Sequence, residues 1–224
     1  MGRQVFAVEE LKIVPELVVK RTDMSPSTKS KDELRIFTPI GQLAQGFNED
    51  IFWDTVESGC DAIICDSDLE LFAKAAHLHN VPSLIGSNGG DGENAHVDKA
   101  AEIITEVVKR NGFRTLKVLK IYSEIPKDLV RQKLNDGLIS PCGGGVPDLN
   151  EKDIDSSTSI VAQMGLEPYL KAMRENPDFD NIVGGRAYDP APYAAFFILR
   201  GFGKPWSCLF HGQDHGMRSS VLHP

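Results

Sequence analysis

The residues with the clearest chemical potential lie in a glycine-rich stretch that runs from Gly86 to His96. Its sequence, GSNGGDGENAH, has four glycines in its first seven residues and ends in a histidine. Glycines let successive backbone N–H groups point into one concavity, and a helix that begins directly afterwards adds about half a positive charge. Such a place favours an anionic or carbonyl oxygen. A tight turn between a strand and a helix, with no ligand, fits the same residues.

Ligand contacts are expected along most of this stretch. The residues expected to contact the ligand are Gly86, Ser87, Asn88, Gly89, Gly90 and Asp91.

Two side chains near the loop are of types suited to proton transfer. His96 falls in the first turn of the helix that follows, where the helix N-terminus is expected to lower the pKa of the imidazole and keep it neutral. Asp66 ends the preceding strand at the same predicted edge of the sheet. Each has an ordinary alternative, His96 as a hydrogen-bonded surface residue and Asp66 as the cap of the next helix. In a catalytic site, His96 and Asp66 are the expected acid and base.

A second glycine pair, Gly184 and Gly185, is followed by Arg186 and, three residues later, by Asp189. The glycines permit close approach of a backbone, and the Arg186 guanidinium can hold a carboxylate or phosphate by two hydrogen bonds. Asp189 can hold Arg186 in place. A purely structural pair of Arg186 and Asp189 at a helix start explains the pattern equally well. Gly41 lies in a third glycine-punctuated loop, after the first core strand, and is expected at the same edge.

Several well-known sites are not indicated. No G-x-G-x-x-G follows a strand, and neither a G-x-S-x-G nucleophile turn nor a Walker loop is present. His77 and His79 are two residues apart and would point to different sides of a helix, so no metal is expected there. The sequence therefore predicts no metal and identifies no cofactor.

Composition argues against two classes of partner, nucleic acids and anionic membranes. The 224 residues carry a net charge of −8, which argues against nucleic acid and anionic membranes as partners. No run of about 18 apolar residues is present, so no membrane span is predicted. The first residues lack an apolar signal core, and the four cysteines show no CxxC spacing. A cytoplasmic protein with reduced thiols is expected.

Alternating strands and helices must position these residues. Periodicity predicts strands at 34–38, 61–66, 81–85, 116–122 and 179–183, and helices at 49–58, 69–79, 97–110, 127–135, 158–174 and 191–199. This alternation predicts an α/β fold with a mainly parallel sheet and helices on both faces, a three-layer, Rossmann-like arrangement that is incomplete at the C-terminus. Ligands bind such sheets where loops leave the carboxyl ends of the strands.

Five motifs together resemble a known family, the acyclic terpene utilisation family, in its N-terminal α/β region. The motifs are TPIG at 38–41 with GF at 46–47, IGSNGG at 85–90, DID at 153–155, IVAQMGLEP at 160–168 and GGRAYDPAP at 184–192. They occur in order over residues 34–203, which makes the resemblance more specific than any lone glycine motif.

The resemblance implies a role in breaking down acyclic terpenes such as citronellol and geraniol, a pathway that proceeds through coenzyme A thioesters. It implies a metabolic context and no particular reaction. The expected ligand is a terpenoid acid or its coenzyme A thioester, bound by an enzyme or by the substrate-binding half of one. The alternatives are a non-catalytic binding or assembly subunit, as a homo-oligomer or with a partner subunit, and a truncated product without function.

Three departures from the family define the expected domain boundaries. Residues 1–33 have no recognised counterpart and read as an extension or linker, which leaves 34–207 as the partial family domain. A Gly/Ser/Thr-rich loop that usually follows the strand ending at Asp66 is missing, as mis-splicing would produce. Codons for residues 211–220, read one base later, permit a sequence like the family's continuation, and the tail in question is 208–224. The tail is therefore expected to be frameshifted, and its histidines (His211, His215 and His223) are not expected to bind metal.

Overall fold

A computed structural model describes residues 8–11, 34–39, 48–65, 68–202 and 220–222, the first and last of these ranges by their backbone pairing. The strands are β1 (Val8–Leu11), β2 (Leu34–Phe37), β3 (Ala62–Ile64), β4 (Ser83–Ile85), β5 (Val118–Ile121), β6 (Asn181–Gly184) and β7 (Ser220–Leu222). The helices are α1 (Glu49–Glu57), α2 (Leu69–His79), α3 (Asn94–Asn111), α4 (Lys127–Asn135), α5 (Glu151–Ser156), α6 (Glu167–Glu175) and α7 (Ala191–Leu199). Among these helices, none combines the length and hydrophobicity that a membrane span requires.

The strands form one sheet in the order β1-β5-β6-β4-β3-β2-β7. The five strands from β5 to β2 are all parallel, β1 adds to β5 in parallel, and β7 pairs with β2 in the antiparallel sense. Every residue of β3, β4 and β6 is buried, as expected for parallel strands covered on both faces. The predicted α/β class is confirmed.

Two hydrophobic clusters separate the helices into layers. Residues of α1, α2 and α3 pack with Ile63, Ile85 and Val183 on one face of the sheet. Residues of α6 and α7 pack with Leu84 and Ile182 on the other face. Because side chains alternate along a strand, neighbouring residues of β4 and β6 serve opposite clusters. The sheet is thus the middle layer of three.

The adjacent strands β4 and β6 send the chain to opposite faces of the sheet. The loop after β4 enters α3 in the first cluster, whereas the loop after β6 enters α7 in the second. A crevice opens at the carboxyl ends of two neighbouring parallel strands when their connections diverge in this way, and ligands of α/β proteins bind there. The fold therefore places the loop after Ile85 and the loop after Val183 side by side.

The prediction of a helix at 158–174 is wrong for the first half of that range. The structure has α6 beginning only at Glu167, with Pro168 in the first turn, where the missing N–H of proline is tolerated. In the preceding residues, Val161 forms an isolated bridge with Glu124 and Met164 forms one with Ala187. An unpredicted short helix, α5, begins in a capping box at Asn150.

One strand lies within each predicted terminal segment. β1 falls inside the predicted extension, and β7 falls inside the predicted frameshifted tail.

Candidate functional site

The loops after β4 and β6 are bonded directly to each other. The Ser87 N–H donates to the Gly185 carbonyl at 3.0 Å, and the Asn88 N–H donates to the Gly184 carbonyl at 3.1 Å. Asn88 is buried, and its side-chain amide donates to the same Gly184 carbonyl at 3.1 Å. Sequence reasoning expected both loops at one edge, and the structure brings them into contact there.

Side chains strengthen this contact. The Ser87 hydroxyl donates to the Ala187 carbonyl at 3.3 Å and accepts from the Ala187 N–H at 3.2 Å. Ser87 and Asn88 therefore use their polar atoms to join the two loops.

Close packing accounts for the glycines at three positions. A Cβ atom on Gly92 would lie 2.0 Å from the Arg186 backbone nitrogen, and one on Gly185 would lie 2.4 Å from the Ser123 hydroxyl oxygen. A Cβ atom on Gly89 would lie 2.4 Å from the His96 ring. No side chain fits at such distances, so these glycines admit the neighbouring loop and the imidazole.

Ser123 joins the two loops and was missed by sequence reasoning. Its side chain lies two residues after the end of β5 and is fully buried. It donates to the Gly92 carbonyl at 2.8 Å and accepts from the Arg186 N–H at 2.8 Å. The rule that selects carboxyl ends of parallel strands, applied also to the strand ending at Tyr122, would have found it.

His96 and Asp91 form a close pair on the exposed side of the loop. The His96 Nδ1 atom lies 2.7 Å from the Asp91 Oδ1 atom, and that oxygen also accepts from the Glu93 N–H at 3.0 Å. The hydrogen bond with Asp91 raises the pKa of His96, and the hydrogen bonds from the Glu93 N–H and from His96 lower the pKa of Asp91. The expectation of a lowered His96 pKa is wrong, because a carboxylate in contact outweighs a helix N-terminus in water.

Carboxylates of the chain itself already occupy the N-terminus of α3. Asp91 accepts from the Glu93 N–H, and Glu124, another residue that sequence reasoning missed, accepts from the Asn94 N–H at 2.8 Å. Within the loop, the N–H groups of Gly90 and Gly92 donate to the carbonyls of Ser87 and Asn88. A ligand at this edge therefore meets chiefly side chains, since these backbone donors are engaged.

Arg186 lies beside the glycine loop. Its Nη1 atom donates to the Gly90 carbonyl at 3.3 Å. Within the part of the chain that the structure describes, Arg186 and Asp189 form no ion pair, so the expectation that Asp189 holds Arg186 is wrong. Asp189 is exposed three residues further on. The predicted site residues Asp66 and Gly41 lie outside the described residues.

One group of described side chains has the ligand types and proximity that a metal ion requires. Asp91, Glu93 and His96 each offer a ligand atom, and these atoms lie within 4.8 Å of one another. Internal bonds occupy the group, because Asp91 binds His96 and Glu93 accepts from the Ser159 hydroxyl. The positive end of the α3 dipole also disfavours a cation here.

Two tyrosines on the face of the sheet covered by α6 and α7 also lie near this edge, and sequence reasoning missed them. Tyr193 in α7 and Tyr169 in α6 both lie in the first turn of their helix and are buried. In the sequence, a tyrosine within an apolar stretch indicates core packing. Only the structure shows that the hydroxyls of these two tyrosines lie near the strand ends.

Comparison with known proteins gives no match: no family model, curated protein or solved structure matches this chain.

The Asp91–His96 pair gives a testable dependence on pH. Because the pKa of His96 is raised and that of Asp91 is lowered, the pair stabilises the fold between these two pKa values. That contribution is lost as the pH rises through the His96 pKa or falls through the Asp91 pKa. We expect an NMR titration of Asp91→Asn to show a lower His96 pKa than the unaltered protein. Glu106→Gln, ten residues further along α3, is the control, and an equal shift in both variants would contradict the assignment.

Proposed function

We propose that this chain binds a small acidic metabolite at the carboxyl edge between β4 and β6, as an enzyme or as the substrate-binding half of one. The proposal rests on one observation, the contact between the glycine loops that follow β4 and β6, two neighbouring strands whose connections diverge. Arg186 and the Asp91–His96 pair lie beside this contact. The motif resemblance suggests a terpenoid acid or its coenzyme A thioester as the ligand.

In this proposal Arg186 binds the anionic part of the ligand. The guanidinium has five donors, and the bond to the Gly90 carbonyl engages Nη1. The Arg186 side chain is half-buried, so its charge is only partly solvated and is still accessible to a ligand. The remaining donors are the ones that would bind a carboxylate or phosphate.

The Asp91–His96 pair supplies the proton-transfer group. Asp91 fixes one ring nitrogen of His96 and favours the imidazolium, which makes His96 a general acid when charged and a general base once it has given up its proton. His96 is 44% exposed, so a ligand can reach its second nitrogen. A glycine at position 89 is what allows the ring to lie against the loop.

Thermal unfolding with and without ligand tests the proposal. We expect the midpoint to rise with the concentration of geranoyl-coenzyme A, since a ligand at about 100 times its Kd adds about 2.7 kcal/mol. Arg186→Ala should abolish most of this rise. Arg174→Ala is the matched control, because Arg174 is an exposed arginine in the last turn of α6, which leads back to the amino end of β6.

The variants separate catalysis from binding. With His96→Gln, an enzyme would keep the thioester-induced rise and lose turnover of the thioester. Binding without turnover in the unaltered protein would favour the binding or assembly subunit. A cooperative transition whose midpoint changes with none of the three compounds (the thioester, free coenzyme A and geranic acid) would contradict the proposed function.

A further inference from the structure

Lys120 is an unusual residue for the interior of a buried parallel strand. Its neighbours in β5 are all buried (Val118, Leu119 and Ile121), and its own side chain is only 16% exposed. Because side chains alternate along a strand, Lys120 points to the same face of the sheet as Val118, which is the face that α3 covers. A charged side chain in such a place loses hydration and needs a partner that offsets the loss.

Asp98, in the second turn of α3, is that partner. The Lys120 Nζ atom donates to the Asp98 Oδ1 atom at 2.8 Å, and the Tyr122 hydroxyl donates to the same oxygen. Burial disfavours the charged forms of Asp98 and Lys120, but the hydrogen bonds outweigh it, so the pKa of Asp98 is lowered and that of Lys120 is raised. Asp98, Lys120 and Tyr122 therefore form a partly buried cluster in which Asp98 and Lys120 carry opposite charges.

The chain after β5 also holds the first residue of α3. The Asn94 Oδ1 atom accepts from the Ser123 N–H at 3.2 Å, and the Glu124 carboxylate accepts from the Asn94 N–H at 2.8 Å. Asn94 and Asp98 are four residues apart and therefore lie on the same side of α3. The end of β5 thus fixes α3 at two points, one in each of its first two turns.

His96 lies on the other side of α3 from these two points. His96 and Asp98 flank the buried Val97, and at about 100° per residue they point to opposite sides of it. Asp91, the partner of His96, is held differently, because its loop is bonded to the loop after β6 and its side chain accepts from the Glu93 N–H. The 2.7 Å contact between His96 and Asp91 therefore joins a helix fixed by β5 to a loop fixed by β6.

Hydrogen bonds fix the orientation of α3 in a way that apolar contacts do not. A hydrogen bond weakens steeply when its distance or angle changes, whereas apolar contacts have no preferred direction. Replacing a buried ion pair by apolar residues of similar volume is often neutral or stabilising, so stability alone does not account for Lys120 in β5. Precise placement of α3 does account for it.

We propose that Asp98, Lys120 and Tyr122 are positioning residues, which hold α3 so that His96 stays within hydrogen-bond distance of Asp91. This role rests on the proposed function only in that His96 is its proton-transfer group. None of the three positioning residues touches the ligand, and they act on the reaction through the distance between His96 and Asp91.

NMR titration of His96 tests the proposal. Tyr122→Phe removes one of the two hydrogen bonds to Asp98, and we expect the His96 pKa in this variant to lie between that of the unaltered protein and that of Asp91→Asn. Val107→Ala, which removes buried apolar volume from the same helix, is the control that lowers stability and should leave the His96 pKa unchanged. A His96 pKa in Tyr122→Phe equal to that of the unaltered protein would overturn the proposal.

A double variant without the buried charges separates positioning from stability. Asp98→Leu combined with Lys120→Met leaves no unpaired charge, so the unfolding midpoint should stay unchanged or rise. The charges that act on His96 are those of Asp91 and Glu93, and the double variant keeps both. We therefore expect a lowered His96 pKa in a protein of similar stability, and an unchanged His96 pKa would count decisively against the positioning role.

Turnover of geranoyl-coenzyme A gives an independent readout. We expect Tyr122→Phe to lower kcat about threefold or more with KM unchanged, because Arg186 and its loop are untouched. A raised KM with an unchanged kcat would contradict the positioning role. If the unaltered protein shows no turnover, the catalytic part of the proposed function fails, and the His96 titration alone decides the positioning role.

Discussion

Replacing Gly92 with alanine is expected to cost about 2–5 kcal/mol of the free energy of unfolding. The new Cβ atom would lie 2.0 Å from the Arg186 backbone nitrogen and 2.4 Å from its Cα atom. A backbone cannot rotate away as a flexible side chain can, so the loops after β4 and β6 would have to separate. Gly92 also has a φ of +77°, which costs a residue with a side chain about 1–2 kcal/mol. Overpacking adds about 1–3 kcal/mol.

Gly112→Ala is the matched control for this prediction. Gly112 caps α3 with a φ of +65°, and no atom lies within 4 Å of its added Cβ. Its substitution should cost only the backbone term of about 1–2 kcal/mol. Urea denaturation of both variants gives the comparison. Similar losses in the two proteins would mean that the loops are not held together as described.

Replacing Asp180 with alanine is expected to cost about 3 kcal/mol, at the amino end of the sheet away from the site. The Asp180 carboxylate accepts from both Arg114 terminal nitrogens, at 2.6 and 3.1 Å, and from the Lys117 N–H at 2.7 Å. Arg114 in turn donates to the Ala76 carbonyl at 2.8 Å. The carboxylate therefore links the start of β6, the start of β5 and the end of α2.

Asp178→Ala separates this effect from the loss of any surface charge. The Asp178 side chain is 74% exposed and forms an ion pair with the Lys117 ammonium at 3.0 Å, whereas the Asp180 side chain is 13% exposed. An exposed ion pair contributes about 0–1 kcal/mol, so the control should change little. Chemical denaturation measures both, and equal losses would contradict the proposed role of Asp180.

Periodicity predicted the helices well where no contact with distant residues overrides it. The bounds of α2, α4 and α7 coincide with the predicted ranges, and α2 begins at a residue whose cap, Asp68, accepts from the Leu71 N–H. The prediction failed at 158–166, where apolar spacing resembles a helix but the chain bridges to Glu124 and Ala187. Those contacts come from distant residues and leave no local pattern.

The position of the site in the fold was predictable from the sequence, but its hydrogen bonds were not. The carboxyl-edge rule selected both loops correctly, because it needs only parallel strands. The hydrogen bonds between the loops depend on β6 lying between β4 and β5, an order that the chain sequence does not specify. The sign of the His96 pKa shift was missed because the contact with Asp91, five residues earlier, depends on how the glycine turn folds.

The position of β6 has a consequence for the order of folding. Asn88 and Gly184, which bond to each other, are 96 residues apart in the chain. At about 5–20 residues per second, synthesis of that interval takes roughly 5–20 s. Throughout that time β2, β3 and β4 can pair with one another, but the edge of β4 that receives β6 stays unpaired. We expect this edge to be the main place where the growing chain engages chaperones or aggregates, and the binding crevice to form last.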